Sequence, residues 1–425
     1  MSPSVIGLLI LAVVIVLFLT GWIPSAQAAV LGCILFVLTG ICSATEVFSS
    51  MADSTVILVV GMLIVGEAMF SVGLAYDVGN FIRRVTGNNE RRLIFAAGLI
   101  SALLSSFLSN VTVIAMAISI INSIVRTSKN FRSKQLYLPI IIGASFGGIL
   151  TLVGSTPQVT AMNILQETTG ATLKIFDFTA IGAILVITYL LHATFTGYKL
   201  GDKIWGSRPE EDEREIAEDA NMSFVAEVPQ YKKIMMLVIF LGMIVLFATG
   251  VIPVSLTAAL GAVACVALRL IDERKAMAAV DWRIVIRLGG CLGIAKGLKA
   301  SGFGDLISGG FIKIFGDQVS PMVLLAVAVL LVMIISNFIT NSTAVVIVLP
   351  PVLAICTALG YNPVTYTMAI AYGANLCICT PLASAQMALA MAGGYKFSDY
   401  VKYGILLEIL VYIEIVALTP LFFPF

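Results

Sequence analysis

Charged residues are scarce in this chain of 425 residues, and their scarcity excludes an ordinary soluble protein. Asp, Glu, Lys and Arg make up 12% of the residues, whereas soluble domains carry roughly 25%. Hydrophobic residues make up 59%, and the mean hydropathy is +1.04. This composition predicts an integral membrane protein. The net charge of +1 gives no indication of nucleic-acid binding, so the predicted partner is the lipid bilayer and no nucleic acid.

Residue types that build metal centres are also few. The chain has one histidine, His192, and its seven cysteines lie in apolar segments without the spacing of a zinc site. Small buried side chains are therefore the predicted role of the cysteines. The N-terminus lacks a basic stretch before its first apolar run, so Pro3 to Thr20 is predicted to be a membrane span and not a signal peptide.

Long apolar stretches are what the chain has in abundance, and most can cross a bilayer of about 30 Å. Spans are predicted at 4–20, 25–42, 54–80, 136–168, 177–198, 232–249, 254–271, 282–311, 364–395 and 399–423. Two further stretches, 92–125 and 320–357, are too long for a simple span and contain a polar run near their middle. For each we predict a re-entrant helical hairpin that returns to the side from which it entered.

The two polar runs are copies of each other. They occupy residues 105–112, SSFLSNVT, and residues 336–343, SNFITNST. An unpaired hydroxyl or amide costs several kcal/mol in hydrocarbon, so such groups persist only where they line a buried or wet cavity. One copy in each half of the chain indicates a single two-sided site for a polar solute, which is typical of a secondary transporter with inverted repeats.

The halves of the chain match elsewhere too, at an offset of about 230 residues. For example, Gly143-Ala144-Ser145 matches Gly373-Ala374-Asn375. Each half has five crossings, an odd number, so the second half must be inverted relative to the first. The predicted fold is an all-α integral membrane protein of two inverted repeats, each with five spans and one re-entrant hairpin. Its predicted parts are repeat 1 (1–200; hairpin 92–125, broken helix 136–168), a cytoplasmic linker (201–230) and repeat 2 (231–425; hairpin 320–357, broken helix 364–395).

Basic residues give the orientation. On this topology nearly all the Lys and Arg of the loops, Arg283 and Arg287 included, fall on one side, whereas the other side receives only Lys174 and Lys313. The crowded side is therefore predicted to be cytoplasmic. Both termini are then extracellular or periplasmic, in an inner or plasma membrane. A hairpin that crossed the membrane would remove this asymmetry.

Gly, Pro and small hydroxyl residues interrupt two of the spans, at residues 151–158 and 379–386. An unwound helix frees carbonyl groups for a cation, and it exposes a helix N-terminus that suits an anion. None of these breaks or polar runs contains Arg, Lys or His, so a co-bound cation is expected to supply the charge that balances an anion. None contains Asp or Glu either, although a sodium/proton antiporter would need a titrating carboxylate in its core.

Other candidate residues have competing interpretations. Residues 143–147, GASFG, match the GxSxG pattern of serine hydrolases, but no strand is predicted before them and close helix packing explains the glycines. Glu67 and Lys296 occupy equivalent repeat positions, where a bracing ion pair and a role in coupling are both open. Glu408 and Glu414, in the last span, are expected to snorkel or to contact another subunit.

The motifs resemble those of the divalent anion:sodium symporter family, the INDY-type carriers of dicarboxylates, citrate and sulfate. Ser109-Asn110 and Thr340-Asn341-Ser342-Thr343 are similar to its paired Ser-Asn-Thr motifs. Residues 147–158 resemble its Gly-Gly…Pro-Pro-Asn run, and residues 393–400 resemble its Gly-Tyr-x-x-x-Asp segment. The resemblance implies a homodimer with a scaffold, a mobile transport domain and elevator-type alternating access.

The same resemblance implies binding residues. The sodium ligands would be Ser105, Ser109, Asn110 and Gly154 at the first site, and Ser336, Thr340, Asn341 and Ala383 at the second. The substrate ligands would be Ser109, Asn110, Ser155, Thr156, Pro157, Asn341, Ser342 and Ser384.

The sequence therefore predicts a secondary active transporter, and not an enzyme, for a small divalent anion such as a dicarboxylate. Sodium symport and anion exchange are both open, and sodium ions are the only cofactor expected. The alternatives are a sodium/proton antiporter or an arsenite-type carrier of the same superfamily and, from a different class, a membrane-embedded hydrolase.

Overall fold

The computed structural model describes residues 2–20, 22–74, 77, 84, 86–87, 89–110, 112–114, 117–118, 121, 132–206, 228–315, 319–381, 384–390 and 394–425. Within these residues the chain is all α-helical and has no β-strand. Its α-helices are Pro3–Thr20, Ser25–Leu38, Ala44–Phe48, Ser54–Ser71, Glu90–Ser105, Ser133–Gly148, Thr156–Thr169, Thr179–Leu191, Gly197–Trp205, Gln230–Thr249, Val254–Ala267, Glu273–Ala279, Trp282–Ser301, Phe303–Phe315, Pro321–Ser336, Asn341–Ala358, Pro363–Asn375, Ala385–Ala390 and Phe397–Phe422.

The helices carry apolar surfaces that suit a bilayer. In the described part of the chain, five continuous helical stretches are long and apolar enough to cross a membrane: Ala44–Ser71, Thr179–Trp205, Gln230–Thr249, Asn341–Ala358 and Phe397–Phe422. Val238 and Val245 on one of them and Ile413 on another expose more than half of their surface. Exposed aliphatic side chains on such helices are what contact with lipid requires, so this is a multi-pass membrane protein.

Both interrupted stretches form hairpins, because their two ends meet. At the first, the Arg132 backbone N–H and guanidinium both donate to the Glu90 carboxylate, at 3.0 and 3.1 Å. At the second, the Tyr361 hydroxyl donates to the Val319 carbonyl at 2.5 Å. The second stretch is described throughout: Pro321–Ser336 leads to the polar run, and Asn341–Ala358 returns from it. In the first stretch most of residues 111–131 lie outside the described residues.

The two hairpins open towards opposite ends of the last helix, Phe397–Phe422. Near its start, the Tyr395 hydroxyl donates to the Lys134 carbonyl, next to the ends of the first hairpin. Beyond its end, the Phe423 carbonyl accepts from Thr365 at 2.7 Å, next to the ends of the second hairpin. Since a helix of 26 residues is about 39 Å long, the ends of the two stretches contact regions that lie about this far apart along the helix.

Two helix pairs join the halves of the chain reciprocally. Ser54–Ser71 packs on Val254–Ala267, and Ser25–Leu38 packs on Trp282–Ser301. At the contacts a Cβ on Gly61 would lie 2.7 Å from the Ala258 backbone, and a Cβ on Gly290 would lie 2.8 Å from the Ala29 Cβ. Small residues therefore let both pairs approach closely, as helices do in membranes.

The structure differs from the predicted spans in three places. The span at 282–311 is two helices, because Gly302 adopts a left-handed backbone (φ +71°) that ends the first of them. The short helices Ala44–Phe48 and Glu273–Ala279, which precede two spans, were not predicted. The segment predicted as a linker at 201–230 begins as helix up to Trp205, and residues 207–227 lie outside the described residues.

Candidate functional site

The two hairpin tips have the same internal geometry. At each tip a serine ends one helix, and five residues later an asparagine begins the helical return. The Ser105 hydroxyl donates to Asn110 Oδ1, and the Ser336 hydroxyl donates to Asn341 Oδ1 at 3.0 Å. Both serines are fully buried, and both asparagines are buried almost completely. Each serine thus fixes the orientation of the carboxamide that follows it.

The breaks of the two interrupted helices dock onto these tips in matching ways. The Thr151 hydroxyl donates to the Ser106 carbonyl, and the Thr380 hydroxyl donates to the Asn337 carbonyl. The first break separates Ser133–Gly148 from Thr156–Thr169, and the second separates Pro363–Asn375 from Ala385–Ala390. Hairpin tip and helix break therefore form one unit in each half of the chain.

Backbone carbonyl oxygens converge around Gly154 in the first unit. A Cβ placed on Gly154 would lie 2.7–2.8 Å from the carbonyl oxygens of Gly148, Ser105 and Ser106. Asn110 Oδ1 is close by, 2.7 Å from where a Cβ on Gly148 would be. Neutral oxygens of this kind are the ligands that transporters use for sodium at unwound helices. Among the described residues no cluster of His, Cys, Asp and Glu could hold a metal ion, so a cation here would depend on such oxygens.

Ser109, Thr340 and Ser384 also lie at the tips and breaks. Ser109 is partly buried next to Asn110, Thr340 shares a hydrogen bond of 2.7 Å with Thr343, and Ser384 accepts from the Met387 N–H at 3.3 Å. Ala383, the counterpart predicted for Gly154, lies outside the described residues.

Two helix N-termini from different halves of the chain meet. The Ser342 hydroxyl, in the first turn of Asn341–Ala358, donates to the Thr156 hydroxyl at 2.9 Å, at the start of Thr156–Thr169. Neither N-cap residue, Ser155 or Thr340, uses its side chain to cap its helix. The first N–H groups of both helices thus remain available, and Pro157 has none to satisfy. Paired, uncapped N-termini suit an anion.

A polar bridge that the sequence did not single out as a site connects the two broken helices. Asn375 Oδ1 accepts from the Ser155 hydroxyl at 2.7 Å, and Asn375 Nδ2 donates to the Ser145 carbonyl at 3.2 Å. Gln386 Nε2 donates to the Ser145 hydroxyl at 3.4 Å. The signal was in the sequence, because Ser145 and Asn375 are matching positions of the two halves.

Glu408 corrects an expectation, since it neither snorkels nor lies on an outer surface. It is 8% exposed, and its Oε1 accepts from Asn337 Nδ2 at 2.5 Å at the second hairpin tip. Its Oε2 and the Asn337 Oδ1 are both buried with no hydrogen-bond partner among the described residues. Glu414 is partly buried and accepts from Thr188 at 2.6 Å. A carboxyl group therefore does reach the tip region, from a different helix.

We expect Glu408→Ala to lower the free energy of unfolding by roughly 2–4 kcal/mol, because it leaves a cavity and a buried amide without its acceptor. Glu408→Gln keeps the volume and the acceptor oxygen and should cost less than about 1 kcal/mol. Thermal unfolding of purified protein measures both, with Lys402→Ala, exposed on the same helix, as the control. Equal loss of stability in the Ala and Gln variants would contradict this role of Glu408.

The hydrolase interpretation fails on geometry. Ser145 is fully buried within the helix Ser133–Gly148, whereas a nucleophile must be exposed at a turn. Neither ring nitrogen of His192 has a hydrogen-bond partner among the described residues, so His192 does not activate Ser145. Glu67 and Lys296 form no ion pair with each other; the Lys296 ammonium donates to Ser49 at 3.3 Å.

Apolar spanning helices, paired hairpins and a polar midpoint define a membrane transporter and not an enzyme. Residues 15–346 match the citrate transporter family, CitMHS. The chain therefore belongs to this family of citrate and dicarboxylate-type transporters, in agreement with the resemblance drawn from its motifs.

Individual relatives are distant. The uncharacterized transporter YfbS of Escherichia coli is 28% identical over 43% of this chain and 30% of its own length, so the chain spans under a third of that relative. The sodium-dependent dicarboxylate transporter SdcS of Staphylococcus saprophyticus is 22% identical over 91% of this chain and 80% of its own. The structure of Neisseria gonorrhoeae MtrF, from a class of antimetabolite efflux pumps, has a TM-score of 0.64 at 14% identity and covers 99% and 94% of the two chains. The last likeness establishes the fold alone.

Proposed function

We propose that the protein is a secondary active transporter of a small divalent anion, most simply a dicarboxylate. The observation that carries this proposal is the meeting of two uncapped helix N-termini at Thr156 and Ser342, one from each half of the chain. No carboxylate of the described residues is among the groups bonded there. The name of SdcS, a sodium-dependent dicarboxylate transporter, supports the same substrate class.

The proposed substrate ligands are those that the family resemblance implies: Ser109, Asn110, Ser155, Thr156, Pro157, Asn341, Ser342 and Ser384. Sodium is proposed to bind between Ser105, Ser109, Asn110 and Gly154, where the carbonyl oxygens converge. The second proposed sodium site consists of Ser336, Thr340, Asn341 and Ala383. Sodium symport explains how a dianion is balanced near the membrane midplane, whereas an exchanger would rely on the helix N-termini.

The proposal includes inverted repeats. Under two-fold symmetry each contact between the repeats occurs twice, with the equivalent residues exchanged. The contact of Gly61 with Ala258 has such a counterpart in the contact of Gly290 with Ala29. Two residues at equivalent positions of the repeats can contact each other only beside the two-fold axis. Ser145 and Asn375 are equivalent positions and are hydrogen-bonded, so the axis would pass beside them. Because hydrogen bonds connect the tips and breaks, they are proposed to move as one transport domain against a scaffold, elevator-fashion, in a homodimer.

Glu408 favours a second candidate function. A sodium/proton antiporter needs a titrating carboxylate in its core, and Glu408 is buried against the second hairpin tip with one oxygen unpartnered among the described residues. Proton-linked cation exchange, without an anionic substrate, is therefore the alternative that a transport assay must separate from anion uptake.

Uptake of radiolabelled succinate, citrate and sulfate into proteoliposomes, with and without an inward sodium gradient, tests the proposal. We expect one of these anions to accumulate above protein-free liposomes, and a sodium gradient to increase its uptake. Uptake that requires the same anion inside would indicate exchange. Proton movement driven by sodium, with no anion uptake, would overturn the proposal in favour of the antiporter.

The proposed orientation predicts opposite accessibility for the two hairpin bases. Cys at Arg92, near the start of the first hairpin, should react with a membrane-impermeant thiol reagent only from the cytoplasm, and Cys at Ala358 only from outside. Both positions are exposed, and all seven native cysteines are buried, which keeps the background low. Labelling of both positions from the same side would contradict inverted repeats.

A further inference from the structure

An arginine from outside the polar segments faces the meeting point of the two helix N-termini. Thr156, Thr160 and Ser342 line a small cavity there. The rest of its lining comes from Trp282–Ser301 and consists of Ile284, Arg287, Leu288 and Cys291. Arg287 belongs to Trp282–Ser301, a helix that packs on both Thr156–Thr169 and Asn341–Ala358. The cavity therefore combines hydroxyls and one arginine with apolar side chains, beside two helix N-termini.

No carboxylate of the described residues neutralises this guanidinium through an ion pair. The nearby Asp281 is engaged by Arg283, whose Nε and Nη2 donate to its two oxygens at 3.0 and 3.1 Å. Arg287 itself is partly buried and donates to the Ser25 hydroxyl at 3.3 Å. Asp281 acts on Arg287 electrostatically but forms no ion pair with it. The guanidinium therefore keeps donors for an anion, and its planar donors match a carboxylate or another oxyanion.

The charge occurs in only one half of the chain. Gly61 and Gly290 occupy matching positions in the two halves of the chain. The same sequence offset makes Leu58 the counterpart of Arg287, and Leu58 is buried and apolar. A solute at the tips would thus meet a fixed positive charge only while the tips lie beside Trp282–Ser301, as they do in this structure.

We propose that Arg287 binds an anionic group of the transported substrate, a carboxylate or a similar oxyanion, once this cavity widens from its present size of about one water molecule. This inference rests on the proposed function and adds a residue to its site. Arg287 supplies the substrate-facing fixed cation that the tips and breaks lack, and it adds to the sodium ions as a source of positive charge.

Calorimetric titration of purified protein with succinate, citrate and sulfate, in saturating sodium, tests the role of Arg287. Arg287→Gln should weaken binding of the anion that the wild type binds by about tenfold or more, whereas Arg287→Lys, which keeps the charge, should bind within about threefold. Arg274→Gln removes the same charge at an exposed position outside the cavity, and it should bind like the wild type.

Each other outcome counts against the inference. Wild-type affinity in Arg287→Gln, or an equal loss in Arg274→Gln, would overturn the role of Arg287 and leave the proposed function standing. Failure of the wild type to bind any of the three anions would overturn both. If Arg287→Gln does not fold, Thr160→Asp places a carboxylate in the same cavity and should weaken anion binding similarly, and unchanged affinity there would refute the proposal.

Discussion

Asn110→Ala and Asn341→Ala should each reduce substrate uptake to the level of protein-free liposomes while the protein remains folded. Each carboxamide offers an oxygen to a cation and two N–H donors to an anion, which an apolar side chain cannot replace. The structure adds a reason for the large effect, because each carboxamide is buried and oriented by the serine five residues before it. Removal of the carboxamide takes away a ligand and leaves a buried hydroxyl without its acceptor.

Uptake of the radiolabelled substrate and the elution profile of the purified protein together measure this effect. Asn89→Ala is the matched control, since Asn89 is exposed and only caps the helix that leads to the first tip. It should cost about 1 kcal/mol of stability and leave uptake unchanged. Wild-type uptake rates in the two tip variants would remove the tips from the proposed site.

Sodium should raise substrate affinity, and by linkage substrate should raise sodium affinity by the same factor. A dianion near the membrane midplane needs more positive charge than helix N-termini supply, since each contributes only about half a unit. The converging carbonyl oxygens around Gly154 can hold a hard cation next to Asn110. Each sodium bound there or at Asn341 reduces the cost of bringing the anion into the site.

Calorimetric titrations in sodium and in choline buffers measure the coupling, with an expected affinity difference of about tenfold or more. Gly154→Ala sharpens the test, because its methyl group would lie 2.7–2.8 Å from three carbonyl oxygens and occupy the proposed cation position. That variant should lose most of the sodium dependence. Equal wild-type affinity in the two buffers would reject sodium coupling and favour anion exchange.

Local pattern was sufficient to predict the membrane setting, the turns at the two polar runs and the helix breaks. The polar runs at 105–112 and 336–343 interrupt apolar stretches. Hydroxyl and amide groups are stable within hydrocarbon only where they are buried in protein or line a cavity, which favours a buried turn. Gly, Pro and hydroxyl residues at 151–158 likewise predicted where a helix unwinds, and the structure ends one helix at Gly148 and begins the next at Thr156. These features depend on residues that are close in the chain, so a single sequence contains them.

Only the tertiary structure decided which distant groups meet. Asn375 joins Ser145 and Ser155, Glu408 reaches the second hairpin tip, and Arg287 faces the helix N-termini although its sequence position places it among the cytoplasmic charges. The partners in each case are far apart in the chain, and the packing of whole helices brings them together. The sequence specifies the chemistry of each side chain. The orientation of a helix, and therefore the partners that its side chains meet, depends on how it packs against neighbouring helices.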